Sequence, residues 1–281
     1  MKKNYFLVAA LCIPFIGFAQ TDSTSKKPGS PEKNDTIRIG GMVIIKKGGK
    51  GKTDDSTTVH VEHRRRNRSS NISTNWGIVD LGFANYTDNT DYTSMQAQQF
   101  APGSNKDWFN LRNGKSVNVN IWFFMQRLNL VKHVVNLKYG LGLELNNYRY
   151  EEDIRYKVKP VSVYKDMTLT YSKNKLAADY LTIPLMLNFN FTPGKNVNKS
   201  FGFSAGASAG YLYASRQKNI STEEGKKKTK NDFDLRPYKL SYIAEVQLGP
   251  VKVYGSLATQ SMFEKGLDQT PYNIGIRLSN W

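Results

Sequence analysis

The chain has 281 residues, a formal net charge of +17 and one cysteine, and its mean hydropathy is −0.53. That length allows one large domain plus an appendage, and the single cysteine excludes a disulfide framework or a Cys-rich metal site. The basic charge alone would suit a nucleic-acid binder. No recognition-helix pattern accompanies it, however, and the basic runs lie in Gly-, Ser- and Asn-rich stretches. No nucleic-acid partner is therefore expected, and phosphate-bearing lipid headgroups are the favoured anionic neighbour.

Residues 1–19 read as a secretory signal peptide: Lys2 and Lys3 precede an apolar run from Phe6 to Phe18, and Gly17 and Ala19 suit cleavage. The run of about 13 residues is shorter than the ~20 a spanning helix needs, and no later uncharged stretch matches it. Cys12 lies inside this segment. The bulk of Leu11 before it and the apolar residues after it argue against a lipid-acceptor role. Residues 20–71 are polar, Gly- and Lys-rich and poor in aromatics, the composition of a flexible, disordered periplasmic linker, with one short strand-like island at 37–45, Ile37 to Ile45. Arg64, Arg65, Arg66 and Arg68 close it, either as lipid-phosphate contacts or as a solvated charge run.

From Trp76 onward, alternating segments of about ten residues recur, the length of a tilted membrane strand. Eight are legible: Trp76–Tyr86, Lys115–Gln126, Val134–Tyr148, Ala178–Phe191, Ser200–Ala214, Tyr238–Leu248, Val251–Ser261 and Pro271–Asn280. In the third, Val135, Leu137, Tyr139, Leu141, Leu143 and Leu145 share one phase, while Asn136, Lys138, Gly140, Gly142, Glu144 and Asn146 share the other. The fourth sets Leu181, Ile183, Leu185, Leu187, Phe189 and Phe191 against Thr182, Pro184, Met186, Asn188 and Asn190. Pro184 lacks a ladder donor and predicts a bulge or bend. The last sets Tyr272, Ile274, Ile276 and Leu278 against Asn273, Gly275, Arg277 and Ser279, with Trp281 as an extension beyond the strand.

The fold class expected for 72–281 is all-β: an eight-stranded antiparallel up-and-down transmembrane β-barrel behind the N-terminal linker. A soluble calyx would carry many more Lys and Glu on its polar face, whereas here that face holds Gly, Ser, Asn and a few charges. Aromatics near strand ends (Trp76, Trp122, Tyr148, Tyr150, Phe191, Phe201, Tyr211, Tyr213, Tyr238 and Tyr272) suit the two headgroup levels of a bilayer. Connections alternate as well. Thr87–Gly114, Arg149–Ala177 and Ser215–Pro237 are long, Arg127–His133, Thr192–Lys199 and Gly249-Pro250 are short, and Met262–Thr270 is intermediate. Long loops outside and both termini in the periplasm would follow.

Chemistry is sparse. An embedded lipid-modifying enzyme or protease would need a His with Ser or Asp partners at the outer rim. Of the three histidines, His60 and His63 lie in the linker and His133 in an expected periplasmic turn. His60-Val61-Glu62-His63 offers too few ligands for a metal site of the usual kind. No catalytic, cofactor-binding or metal residues are assigned, no cofactor is expected, and the chain is read as a non-enzyme. Eight strands enclose an interior that side chains fill, so a diffusion pore is not expected. Asp80, Glu144 and Glu245 instead face Lys138 and Arg277 as a buried charge network. The run Glu223-Glu224-Gly225-Lys226-Lys227-Lys228-Thr229-Lys230 reads as a lipopolysaccharide contact or a solvated loop. Tyr92, Gln96, Gln98, Gln99, Phe100 and Trp108 either bind a protein or glycan or cap the barrel mouth.

Read together, NWGIVDLGFANY (Asn75–Tyr86), GLGLELNNYRY (Gly140–Tyr150), DYLTIPLMLNF (Asp179–Phe189), FGFSAGASAGY (Phe201–Tyr211), FDLRPYKLSYIAEVQLG (Phe233–Gly249) and YNIGIRL (Tyr272–Leu278) resemble the PorT-type outer-membrane β-barrel domain family of Gram-negative bacteria. The resemblance implies an eight-stranded barrel in the cell outer membrane but no single activity. The expectation is a monomeric, membrane-anchored scaffold or binding module. Its expected neighbours are outer-membrane lipids and lipopolysaccharide, and its long loops are free to meet envelope or secretion proteins. A PorT-like component of a secretion or envelope-assembly machinery is the alternative.

Overall fold

The computed structural model describes residues 70–278 except 195–196, together with the backbone of three short strands further upstream. The expected signal peptide at 1–19 and most of the linker at 20–71 lie outside the described residues, as does Trp281. The chain divides into two units, Met1–Arg68 and Ser69–Trp281. In the first, β1 (Asn34–Ile39), β2 (Met42–Lys47) and β3 (His60–Glu62) form an antiparallel sheet, with Asn34 opposite Lys47 and Ile45 opposite His60. The strand-like island expected at Ile37 to Ile45 thus falls across a hairpin.

The second unit holds β4 (Ile72–Asp88), the short helix α1 (Met95–Phe100), β5 (Val117–Val131), β6 (Val135–Arg149), β7 (Ile154–Val158), β8 (Val161–Lys165), β9 (Lys173–Asn190), β10 (Phe201–Ser221), β11 (Gly225–Lys230), β12 (Tyr238–Leu248), β13 (Val251–Ala258) and β14 (Gln269–Leu278). The eight segments legible in the sequence correspond to β4, β5, β6, β9, β10, β12, β13 and β14, although β13 stops at Ala258 short of the expected Ser261 and β5 continues to Val131 through most of the expected turn. These pair antiparallel in chain order, and β14 pairs back onto β4, with Ile274 opposite Phe83 and Arg277 opposite Asp80. The ring is uneven. The β9–β10 ladder runs from Asn190 and Gly202 up to Lys173 and Ile220, whereas β13 meets β14 only from Val251 to Leu257. Strand β11 adds to the upper part of β10, and β7 and β8 form a separate hairpin.

Period-2 alternation decides what each face meets. Ile274 is 56% exposed while its neighbour Asn273 is 4% exposed. One register row runs outward around most of the ring, through Leu81, Ile276, Val253, Val246, Phe203, Phe189 and Val135. A continuous exposed apolar band of this kind is foreign to a water-facing surface and fits hydrocarbon. With the ring closed, backbone donors and acceptors are satisfied without water.

Pro184 does not create a bulge. Tyr139 faces Leu185 and Gly142 faces Thr182, so the β6–β9 register is the same on both sides of the proline, and only the local pairing is skipped. The register shifts fall elsewhere, at Phe123 in β5, in the stretch Asn129–Val131, and at Tyr213 in β10, where an extra residue flips the strand's faces. The interior is tight. Gly82 and Gly275 sit opposite each other beneath the Tyr254 ring, and a Cβ on Gly275 would stand 2.7 Å from Tyr254 Cε1. Gly275→Leu is therefore expected to lower unfolding stability in detergent micelles by about 1–3 kcal/mol, measured by urea titration. An unchanged midpoint would mean the ring has room that this packing denies.

Candidate functional site: the filled lumen and the loop cap

Charges meet across the interior of the ring. Arg277, on β14, donates from Nε to Asp80 Oδ1 at 2.6 Å and from Nη2 to Asp80 Oδ2 at 2.7 Å, a bidentate pair with β4. Its Nη1 reaches Glu245 Oε2 at 2.6 Å on β12, and Lys138 Nζ on β6 reaches Glu245 Oε1 at 2.6 Å. Trp122 Nε1 and Asn120 Nδ2 also donate to Asp80 Oδ2, at 2.6 and 3.2 Å, and the Arg277 guanidinium lies over the Trp122 ring. A second cluster centres on Glu144, which pairs with Lys239 across the lumen and accepts from Asn146 and Asn273 at 3.1 and 3.0 Å. Tyr254 Oη donates to Asn118 Oδ1 at 2.6 Å.

All five charged residues read from the sequence as lumen-facing are buried inside and joined to one another or to Lys239. Lys239 and Lys252 are buried there too. Their strand phase marks them as inward, since Lys239 alternates with Tyr238 and Leu240, and Lys252 with Val251 and Val253. Beside Trp122, Glu144, Met186 and Arg277 lies a cavity of about 40 Å³, room for a few waters rather than a solute.

The long connections fold over one end of the ring. Phe100, Phe109, Ile154, Tyr156, Val163, Phe233, Leu235, Met262, Phe263 and Leu267 from the loops pack with Tyr86, Tyr148 and Tyr180 from the strand ends into one buried cluster. Hydrogen bonds fix it. Tyr86 Oη donates to the Phe109 carbonyl, and Tyr150 and Tyr156 share a hydroxyl bond of 2.8 Å. Gln217 serves the β7 edge as a backbone would, accepting from Tyr156 N and donating to Ile154 O, each at 2.9 Å. Ser94 caps α1 by accepting from Ala97 N at 3.2 Å. Phe100 is buried here, with Tyr92 and Trp108 packed against the cluster, so these loop aromatics cap the mouth.

Three aromatics expected at headgroup level turn inward instead. Trp122 is buried against the Arg277 network, and Tyr148 and Tyr150 lie in the cap. Their place near strand ends suggested lipid, but Trp122 shares the phase of Asn118 and Asn120, and Tyr148 that of Asn146, and phase decides. Trp76, Phe191, Phe201, Tyr211, Tyr213, Tyr238 and Tyr272 are exposed as expected.

His60 stands on β3, His63 lies outside the described residues, and His133 occupies the short β5–β6 turn at a φ of 58°. Among the described residues no three metal-ligating side chains gather. One recess opens at the loop end between the tops of β12 and β14, where β13 stops at Ala258. Its volume is about 280 Å³, and Tyr180, Arg236, Lys239, Met262, Glu264 and Pro271 are among its walls.

A ring of antiparallel strands with apolar residues outside and paired charges inside defines a membrane β-barrel. The family model for the outer membrane protein beta-barrel domain matches residues 66–268, and the chain belongs to that family, which places it in the outer membrane. No curated protein matches the chain.

Two outcomes test this anatomy. Arg277→Met leaves Asp80 without its ion pair and takes one cation from Glu245, and should cost about 3–5 kcal/mol in folded-state stability, part of which returns when Asp80→Asn is added. A loss under about 0.5 kcal/mol, as for an exposed site, would contradict it. The second concerns the loop after β8. Burial opposes ionisation of Asp166, but hydrogen bonds from Tyr171, from the Thr168 hydroxyl and from the Thr168 and Leu169 amides outweigh it and hold the carboxyl at about 2. A depressed carboxyl stabilises above its ordinary range and stops doing so as pH falls through the folded value. Asp166→Asn should therefore speed amide exchange at Thr168 and Leu169 at pH 6, and the wild-type loop should match the variant only as pH approaches 2. Equal exchange at pH 6 would remove the carboxylate's role.

Proposed function

We propose that this chain is an eight-stranded transmembrane barrel that anchors a folded loop cap at the cell surface. In this reading the short turns and both termini lie in the periplasm and the long loops outside. It acts as a non-enzymatic scaffold or binding module through those loops. The observation that carries the reading is the doubly closed interior: cross-lumen ion pairs fill the barrel, and an aromatic cluster seals one mouth. A route for solutes and an open catalytic cleft are both hard to reconcile with that arrangement. Resemblance to the PorT-type family supports a role in secretion or envelope assembly as a second reading, with the same loops or the periplasmic linker meeting the partner. A ring that pairs each of its strands on both sides is complete as a monomer.

Folded protein should migrate differently on a denaturing gel before and after boiling, and should give no conductance in planar bilayers. A single-cysteine probe at Lys265→Cys should react with a membrane-impermeant maleimide in intact cells, and one at Lys132→Cys only after permeabilisation. Reversed labelling would overturn the orientation, and steady solute-sized conductance would overturn the closed-lumen scaffold.

A further inference from the structure

Above the ring, β9, β10 and β11 continue as a three-stranded sheet with unusual cross-strand pairs. Lys175 of β9 faces Lys218 of β10, which faces Lys228 of β11, in one row. The rows on either side place Lys173, Ile220 and Lys226 together, and Ala177, Arg216 and Lys230 together. Arg149 of β6 stands opposite Lys175 as well, so eight cations share one face. Like charges directly opposite one another in a sheet are destabilising, so the chain alone gives no reason for this grid.

Internal neutralisation is slight. Arg216 pairs with Asp179 at 2.5 Å, and Lys175 Nζ bonds the Asn147 side chain at 2.5 Å. Glu224 serves Arg155 and Lys227, neither of which belongs to the grid, and among the described residues Lys173, Lys218, Lys226, Lys228 and Lys230 pair with no acid. Lysines on an exposed edge strand also discourage unwanted pairing, which would account for β11. That argument does not reach Lys175, Arg216 or Lys218, whose strands are paired on both sides there.

The phase of the face is set by the β10 irregularity at Tyr213. Below it, odd-numbered residues such as Phe203 and Tyr211 point outward. Above it, Gln217 and Asn219 are buried while Arg216 and Lys218 keep contact with solvent. The cations therefore stand outward, just beyond the exposed rings of Tyr211, Tyr213 and Tyr238. In a membrane barrel such rings mark the headgroup level, so the charges begin where lipid phosphates are. Neighbouring strands are about 4.8 Å apart and alternate residues about 7 Å apart, a lattice in which one phosphate touches two or three ammonium groups. Burial pushes the Lys175 ammonium down to about 8, and Lys173, Arg216 and Lys218 push the same way. An anion would relieve that repulsion.

We propose that the outward face of this three-stranded extension docks the phosphate groups of outer-leaflet lipopolysaccharide, with Lys175, Lys218 and Lys228 as its central row. The proposal rests on the orientation given under Proposed function. Its test uses the full chain, shown folded by its gel shift, in neutral-lipid nanodiscs titrated with purified lipopolysaccharide. The triple variant Lys175→Gln, Lys218→Gln, Lys228→Gln should bind roughly tenfold more weakly and with a shallower salt dependence. Dephosphorylated lipopolysaccharide should bind wild type no better than the variant, and millimolar inorganic phosphate should not compete. Without lipopolysaccharide the variant should be about as heat-stable as wild type, because the repulsion it loses offsets the lost Lys175–Asn147 hydrogen bond. Equal affinity of variant and wild type, equal binding of the dephosphorylated form, or selective capture of a phosphate-free acidic glycan would overturn the proposal. The Lys265→Cys probe, which lies outside the grid, separates the two claims: its protection in intact cells with binding intact in nanodiscs would overturn the orientation alone.

Discussion

The interior of the barrel depends on the guanidinium of Arg277. A charge in a narrow, low-dielectric space is costly unless its partners are equally fixed, and Arg277 meets that condition by holding Asp80 on the adjoining strand and Glu245 across the lumen. Lys138 completes the chain of charges on the far wall. Because β14 is the strand that closes the ring against β4, the same side chain that neutralises the interior also ties the two ends of the sheet together. Removing either acid or base strands the others, so the network specifies one register.

The rest of the structure follows from having no room inside. Glycines lie beneath Tyr254 and Trp122 because a side chain there would meet the ring. Apolar side chains that find no place in the lumen face outward, where only hydrocarbon accommodates them. The long connections turn their aromatics down onto the open end and bury them together. The barrel thus presents its polar chemistry at the loop end, in the recess near Lys239 and on the basic sheet above the Tyr211–Tyr238 level.

Much of this was legible from period 2 alone. The alternation of Val135–Asn146 and Tyr272–Arg277 fixes both faces, and five of the lumen charges follow from phase without any coordinates. What the alternation cannot supply is shear, so the partnership of Lys138 with Glu245 and of Lys239 with Glu144 becomes visible only in three dimensions. Trp122, Tyr148 and Tyr150 turn inward although they are expected near strand ends, because burial follows phase. The bulge that Pro184 suggests does not form because a missing donor need not change register. The upper ends of β9 and β10 and all of β11 carry no apolar rhythm, because the outward face is basic and the buried face of β9 and β10 packs largely through the amides of Asn174, Gln217 and Asn219. The β7–β8 hairpin is hard to read in the sequence because its two strands are only five residues each, too short for a periodic signal.

The most direct measurement is nuclear magnetic resonance of the refolded chain in micelles, reading the ring closure and the Arg277 side chain together. The account predicts amide contacts between Ile274 and Phe83 across β14 and β4, and a resolved, slowly exchanging Arg277 Nε proton at neutral pH. An Arg277 signal averaged with solvent, or absence of the β14–β4 contacts in a sample that is otherwise folded, would contradict it.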